Sequence, residues 1–153
     1  MNNYYEAQQE DYLISTDPAK LDLAVVHGYL STSYWSENIP FSVVEKSAAN
    51  SLCFGLYYLQ QQIGFARLIT DKTTFAYLAD VFILETHRGK GLSKWLMKTI
   101  HAHPGLQNLR TWLLQTRDAH NLYRQFGWGE HPNPERIMRK ANPDIYKKPP
   151  FAK

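Results

Sequence analysis

A chain of 153 residues with 44% hydrophobic content can bury a core of its own, and no apolar run in it reaches the roughly 18 residues that a membrane span requires. A formal charge of +3 permits an anionic ligand but falls short of the dense cationic surface by which proteins hold duplex DNA. The opening "MNNYYEAQQEDY" has neither the basic flank nor the apolar centre of a secretion signal, and a single cysteine, Cys53, cannot form an internal disulfide, so a cytoplasmic location is expected.

In chain order, "YLISTD" predicts a short strand. Asp17-Pro18 then supplies an N-cap and a first-turn proline for a helix with Leu21, Ala24, Val25, Gly28 and Tyr29 on one face. Beyond the loop "STSYWSENIP", Phe41, Val44 and Ala48 recur at helical spacing and predict a short second helix over 41–50. The runs "SLCFGLYYL", "QIGFARLIT" and "FAYLADVFIL", parted by "QQQ" and "DKTT", read as an antiparallel meander. Leu92, Trp95, Leu96, Thr99 and Ile100 then mark one face of an amphipathic helix that should end before Pro104-Gly105. "NLRTWLLQT" predicts the next strand, and "DAHNLYRQFGW" a helix with Ala119, Leu122, Tyr123 and Phe126 inward, stopped by Gly127. "ERIMRK" predicts a last strand, and the polar, proline-rich tail over 141–153 a loose end. With no repeat or internal linker, one α/β domain accounts for residues 1–153, its core spanning about 11–140.

The stretch "VFILETHRGKGLSKWL" is therefore a turn inside a strand, helix, strand crossover. The first turn of the helix presents free N–H groups and the positive end of its dipole. Gly89 and Gly91 let a ligand approach the main chain, and Arg88, Lys90 and Lys94 supply positive charge. A phosphorylated ligand fits such a turn. Neither familiar phosphate loop does: G-x-x-x-x-G-K-[ST] has no counterpart here, and "GKGLSK" ends in Lys94 where the dinucleotide fingerprint has its third glycine.

"RGKGLS", between an apolar strand and an amphipathic helix, resembles the R/Q-x-x-G-x-G/A signature of the Gcn5-related N-acetyltransferases (GNAT). "DAHNLYRQFGW" is similar to that family's A-x-x-L-Y-x-x-x-G-F segment, in the expected order and after the expected strand. The resemblance is strongest over 78–128. It implies an α+β fold of the GNAT type, a central mixed and mostly antiparallel sheet flanked by about four helices, with acetyl-CoA as co-substrate. It implies further that the main chain of Val81, Phe82 and Ile83 pairs with the pantetheine arm, and that the amides of Gly89, Lys90, Gly91, Leu92, Ser93 and Lys94 hold the pyrophosphate. Arg88 is then the first signature residue, and Tyr123 the tyrosine beside the thioester sulfur. Ser93 stands where Gly or Ala is usual, and Thr116 where many members have asparagine.

Acetyl transfer from a thioester to an amine needs a neutral amine, a polarised carbonyl and a protonated leaving thiolate. Tyr123 is the candidate acid. Asp80 interrupts an apolar run and, by strict alternation, shares a sheet face with Leu78 and Phe82; a carboxylate there needs partners or a task, which makes it the candidate base. Glu85 and His87 are expected to face solvent, as is His120. Tyr34 and Trp35 match the region that lines the acceptor pocket in relatives. His101 and His103 diverge at a helix end without an acidic or cysteine cluster, so no metal is expected, and Cys53 reads as core. The expected function is transfer to a small amine or amino-acid-like acceptor by direct attack in a ternary complex, with no membrane or nucleic-acid partner, and with a homodimer open through an exposed edge strand. The alternatives are a protein amine or aminoacyl-tRNA as acceptor, or an acetyl-CoA sensor without catalysis.

Overall fold

The computed structural model describes residues 3–151. It contains a six-stranded sheet of order β1 to β6: β1 (Glu6–Gln9), β2 (Tyr12–Ser15), β3 (Leu52–Tyr58), β4 (Gln61–Thr70), β5 (Phe75–Ile83) and β6 (Thr111–Leu114). Every neighbouring pair is antiparallel except β5 and β6. A parallel pair needs a crossover, and α3 (Leu92–Ala102) provides it. The remaining helices are α1 (Leu23–Leu30), α2 (Phe41–Ala49) and α4 (His120–Arg124). None of the helices is long and apolar enough to cross a membrane.

The sheet separates two cores. Alternation along β3 and β4 sends Phe54 and Ala66 to the face covered by α3 and α4, where Leu96, Met97 and Ile100 are fully buried. Cys53 and Phe65 point the other way, onto Val26, Leu30 and Val44 of α1 and α2. Leu78 of β5 belongs to the first core and Phe82 to the second, which strict alternation forbids for residues four apart. A bulge between them is the reason: the β4 register shifts between Phe65 and Arg67, and Asp80 takes a left-handed φ of 57°. Asp80 therefore does not share one face with Leu78 and Phe82.

Several boundaries differ from those expected. Asp17 does cap a turn at Pro18, accepting from the Ala19 amide at 2.9 Å, but only a 3₁₀ turn over Pro18–Lys20 follows. The helix begins at Leu23, where Asp22 accepts from two amides, those of Ala24 and Val25. Its buried face is that of Val26 and Leu30, so Ala24 and Gly28 are exposed rather than inward. Phe41 likewise stays largely exposed, its ring against the edge of His27. β1 was not expected, since "EAQQ" has no apolar face to bury; it forms as a polar edge paired to β2 through a tight turn. The last strand expected over "ERIMRK" is not formed. Pro134–Arg136 makes a 3₁₀ turn, Ile137 and Met138 are adjacent apolar residues that cannot alternate, and Met138 is 95% exposed. The tail is not loose throughout: Ile145–Lys147 turns, and Tyr146 packs against the second core.

Truncating Leu96, at 0% exposure, should cost about 2–5 kcal/mol in a urea titration of Leu96→Ala, the range for emptying a packed leucine site. A second dependence concerns His101, whose Nε2 accepts from Trp128 Nε1 at 3.1 Å between Trp112 and Phe126. Burial lowers its pKa from the ordinary 6.5, so the unfolded chain binds its proton more readily. Stability held above pH 6.5 should fall as the pH drops below that value. The urea midpoint should show this slope in the wild type and a shallower one in His101→Gln.

Candidate active site

The turn between β5 and α3 leaves main-chain amides open at the start of a helix. Gly89 and Gly91 have φ of 78° and 76°, a region that side chains other than glycine enter at a cost of about 1–2 kcal/mol, and open space lies where a Cβ would project from either. Gly91 caps α3 without a side-chain bond, and the first amide to find a carbonyl is that of Trp95, bonded to Gly91 O. The amides of Leu92, Ser93 and Lys94 remain for a ligand. A depression of about 200 Å³ lies over them, lined by Ile83, Arg88, Gly89, Gly91, Leu92, Ser93 and Lys94 together with His87 and Leu122. Lys90 is exposed and does not line it. Arg88 is not a mobile cation: its Nε donates to Ile83 O at 2.9 Å and its Nη2 to Tyr29 Oη at 3.0 Å, while Tyr29 stacks on Phe82 at 4.1 Å. The arginine ties the end of β5 to α1.

β6 pairs with β5 only as far as Leu78. Ala79 to Ile83 therefore keep the main-chain groups of that edge free of strand partners, and Val81, Phe82 and Ile83 lie along the open part. Phe82 buries its ring in the second core, and Ile83 reaches the depression. α4 closes the other side. Thr116 Oγ1 accepts from the Ala119 amide at 3.0 Å just ahead of this helix, which ends at Arg124, three residues before Gly127 with its φ of 89°. Tyr123 is 8% exposed and packs with Trp128. Burial first, then Tyr34 and Asp118 nearby, push its phenol up to about 12. Among the described residues only the Tyr57 hydroxyl is both sealed and unpartnered, so the Tyr123 hydroxyl, which no protein group bonds, opens to solvent.

At the bulge, Asp80 is held by two donors, Arg67 Nε at 2.8 Å and Trp35 Nε1 at 2.9 Å, and its side chain is 8% exposed. Arg67 is itself anchored through Nη1 to Ser51 Oγ. The long loop after α1 thus carries Trp35 onto Asp80 and Tyr34 toward Tyr123. Tyr34 meets Trp35 edge to face at 5.1 Å and takes the Arg117 guanidinium on its own face at 3.9 Å. Tyr34 and Trp35 are 52% and 41% exposed, an aromatic wall facing solvent beside Asp80 and Tyr123.

An acetyltransferase (GNAT) domain profile matches residues 49–130, more than half of the chain. The chain belongs to the GNAT acetyltransferases. A protein from Gibberella zeae that is named as a candidate acetyltransferase is 34% identical, over 74% of this chain and 76% of its own. A structure from Xanthomonas campestris pv. campestris assigned to the GNAT family is 42% identical, covers 92% of this chain and 100% of its own, and superposes with a TM-score of 0.88. A GNAT family acetyltransferase from Elizabethkingia anophelis, solved with acetyl-CoA bound, is 12% identical over 77% of this chain and 76% of its own. At a TM-score of 0.59 it shares the fold.

The GNAT scaffold thus brings together Tyr34, Trp35, Asp80 and Tyr123 on one side and the glycine turn on the other. His101 and His103 do not meet: one accepts from Trp128, and the other accepts the Gly105 amide through Nδ1. Burial raises the Cys53 thiol to about 12, as suits a core residue whose Sγ lies against Ala48 O. His120 is exposed, as expected, but His87 is half-buried against Tyr12 and Tyr58. Two residues beside Asp80 were not anticipated. Arg67 interrupts its apolar run just as Asp80 interrupts the next, and a lone charge in each of two paired strands is the signal that could have joined them. Tyr146 had no such signal. It comes from the tail to the neighbourhood of Asp80 and Arg67, where burial and the Asp80 carboxylate raise its pKa.

Removing Arg67 should strand a nearly buried carboxylate. Arg67→Met is expected to destabilise the protein by about 3 kcal/mol in urea, and Arg67→Met/Asp80→Asn by less than the sum of the two single changes.

Proposed function

We propose that this N-acetyltransferase carries the acetyl group of acetyl-CoA to a small primary amine or amino-acid-like acceptor, by direct attack within a ternary complex. The observation that carries the reading is the meeting of a solvent-open, protonated phenol with an aromatic wall at the mouth of the β5/β6 opening. The amine nitrogen bonds to the carbonyl carbon as the carbon–sulfur bond breaks. Tyr123 gives its proton to the departing sulfur, and a phenol whose pKa is raised to about 12 is fully protonated at neutral pH, as that role requires. Free main-chain N–H groups along the open edge of β5 are the groups available to polarise the carbonyl.

Asp80 was the expected base. Both of its oxygens already accept bonds, from Trp35 and Arg67, so we assign it to holding the acceptor wall, and the amine sheds its proton to water at the open mouth. A small acceptor is favoured over a folded protein because Trp35 and Tyr146 crowd the approach to Asp80 from two sides.

Thiol release from acetyl-CoA across a panel of amines and amino acids tests the reading. One or more small amines should support turnover. Tyr123→Phe should lower kcat by about 10²-fold with the acetyl-CoA Kd within about twofold of wild type. An unchanged kcat in that variant would remove Tyr123 from the chemistry. Tight acetyl-CoA binding with no turnover on any amine would point to a sensor.

A further inference from the structure

The signature arginine of the glycine turn is in part committed to the scaffold. Arg88 spends Nε on Ile83 O and Nη2 on Tyr29 Oη, both groups of the protein. The residue before it faces the same depression as Arg88 does. His87 lines that cavity with Gly89, Gly91, Ser93, Lys94 and Leu122.

Its ring is fixed from two strands. Tyr12 of β2 places its hydroxyl 3.1 Å from His87 Nδ1 with the two rings nearly perpendicular at 87°, and Tyr58 of β3 packs against the imidazole at 5.2 Å. Assigning the Tyr12 hydroxyl as donor to Nδ1 leaves the hydrogen of the neutral ring on Nε2, and the protonated ring carries one there as well. Nε2 is then a standing donor. The titratable groups around the ring are the phenols of Tyr12 and Tyr58, the cations Arg88 and Lys94 that share the cavity wall, and the exposed Glu85 of the same turn.

We infer that His87 is a phosphate ligand of this enzyme, donating through Nε2 to the diphosphate of acetyl-CoA and taking up a proton as it binds. The inference rests on the reading of the glycine turn as the acetyl-CoA site. A dianionic diphosphate next to an imidazole favours the charged ring, so binding and protonation support each other. Acetyl-CoA should therefore bind more tightly as the solution becomes more acidic across the neutral range.

Calorimetric titration with acetyl-CoA, from pH 6.5 to 8 and in buffers of different ionisation enthalpy, tests this on wild type and His87→Gln. The 3′-phosphate of the ligand also titrates near pH 6, and it does so equally for both proteins, so the difference between them isolates His87. Wild type should take up protons on binding and lose affinity several-fold toward pH 8. His87→Gln should bind about tenfold more weakly at pH 6.5, with proton uptake reduced to the contribution of the ligand, the size expected for one charge-assisted hydrogen bond. Equal proton uptake by the two proteins overturns the inference while leaving the acetyl-CoA site standing, and so does weaker binding by the variant with an unchanged pH slope, which marks a packing role. Absence of binding by folded wild type overturns the acetyl-CoA reading itself and this inference with it.

Discussion

The bulge at Asp80 is the constraint on which the rest of the structure turns. A left-handed aspartate inside a strand is costly by about 1–2 kcal/mol, and two charge-assisted bonds, from Arg67 and Trp35, offset it. Because of that extra residue, the end of β5 changes faces. Leu78 buries under α3 and α4, while Phe82 buries under α1 and α2, where Tyr29 stacks on it. The same carboxylate captures the tip of the loop between α1 and α2. One side chain therefore sets the direction of the end of β5 and fixes the loop that carries Tyr34 and Trp35.

The other end of the opening is organised by opposite means. Around Gly89 and Gly91 the protein removes side chains and leaves amides, and Arg88, exposed at the cavity wall, holds β5 against α1 through Nε and Nη2. Rigidity comes from neighbours of the turn. The His87, Tyr12 and Tyr58 rings pack on one side, and Leu122 of α4 stands at the edge of the cavity. That arrangement suits a ligand held mainly by main-chain groups, since such groups act only when the backbone is fixed.

Much of this was legible from letters alone. The period of α3, the three meander strands and the two glycines followed from apolar spacing and turn chemistry, and the GNAT motifs added the order of elements beyond them. What escaped did so for physical reasons. β1 has no apolar face, so no periodicity announces it; it exists because β2 offers an edge. "ERIMRK" has strand-like residues but puts Ile137 beside Met138, so neither face of a strand would be apolar. Alternation assigned Asp80 to the wrong face because a bulge is a single-residue event that propensity does not register. Arg88 read as a free cation because one acceptor is a main-chain carbonyl, which no side-chain pattern reports, and the other, the Tyr29 phenol on α1, is distant in the sequence. Tyr146 read as tail for the same reason: what orders it is the second core, built from residues more than sixty positions earlier.

The central claim is that the glycine turn and the opening beside it form the acetyl-CoA site. Calorimetric titration of acetyl-CoA into wild type and Gly91→Trp tests it most directly, since the new side chain would occupy the open space over the α3 amides. Wild type should bind in the micromolar range and the variant not at all, with circular dichroism of the two alike. Equal binding by both folded proteins would place the ligand elsewhere and contradict it.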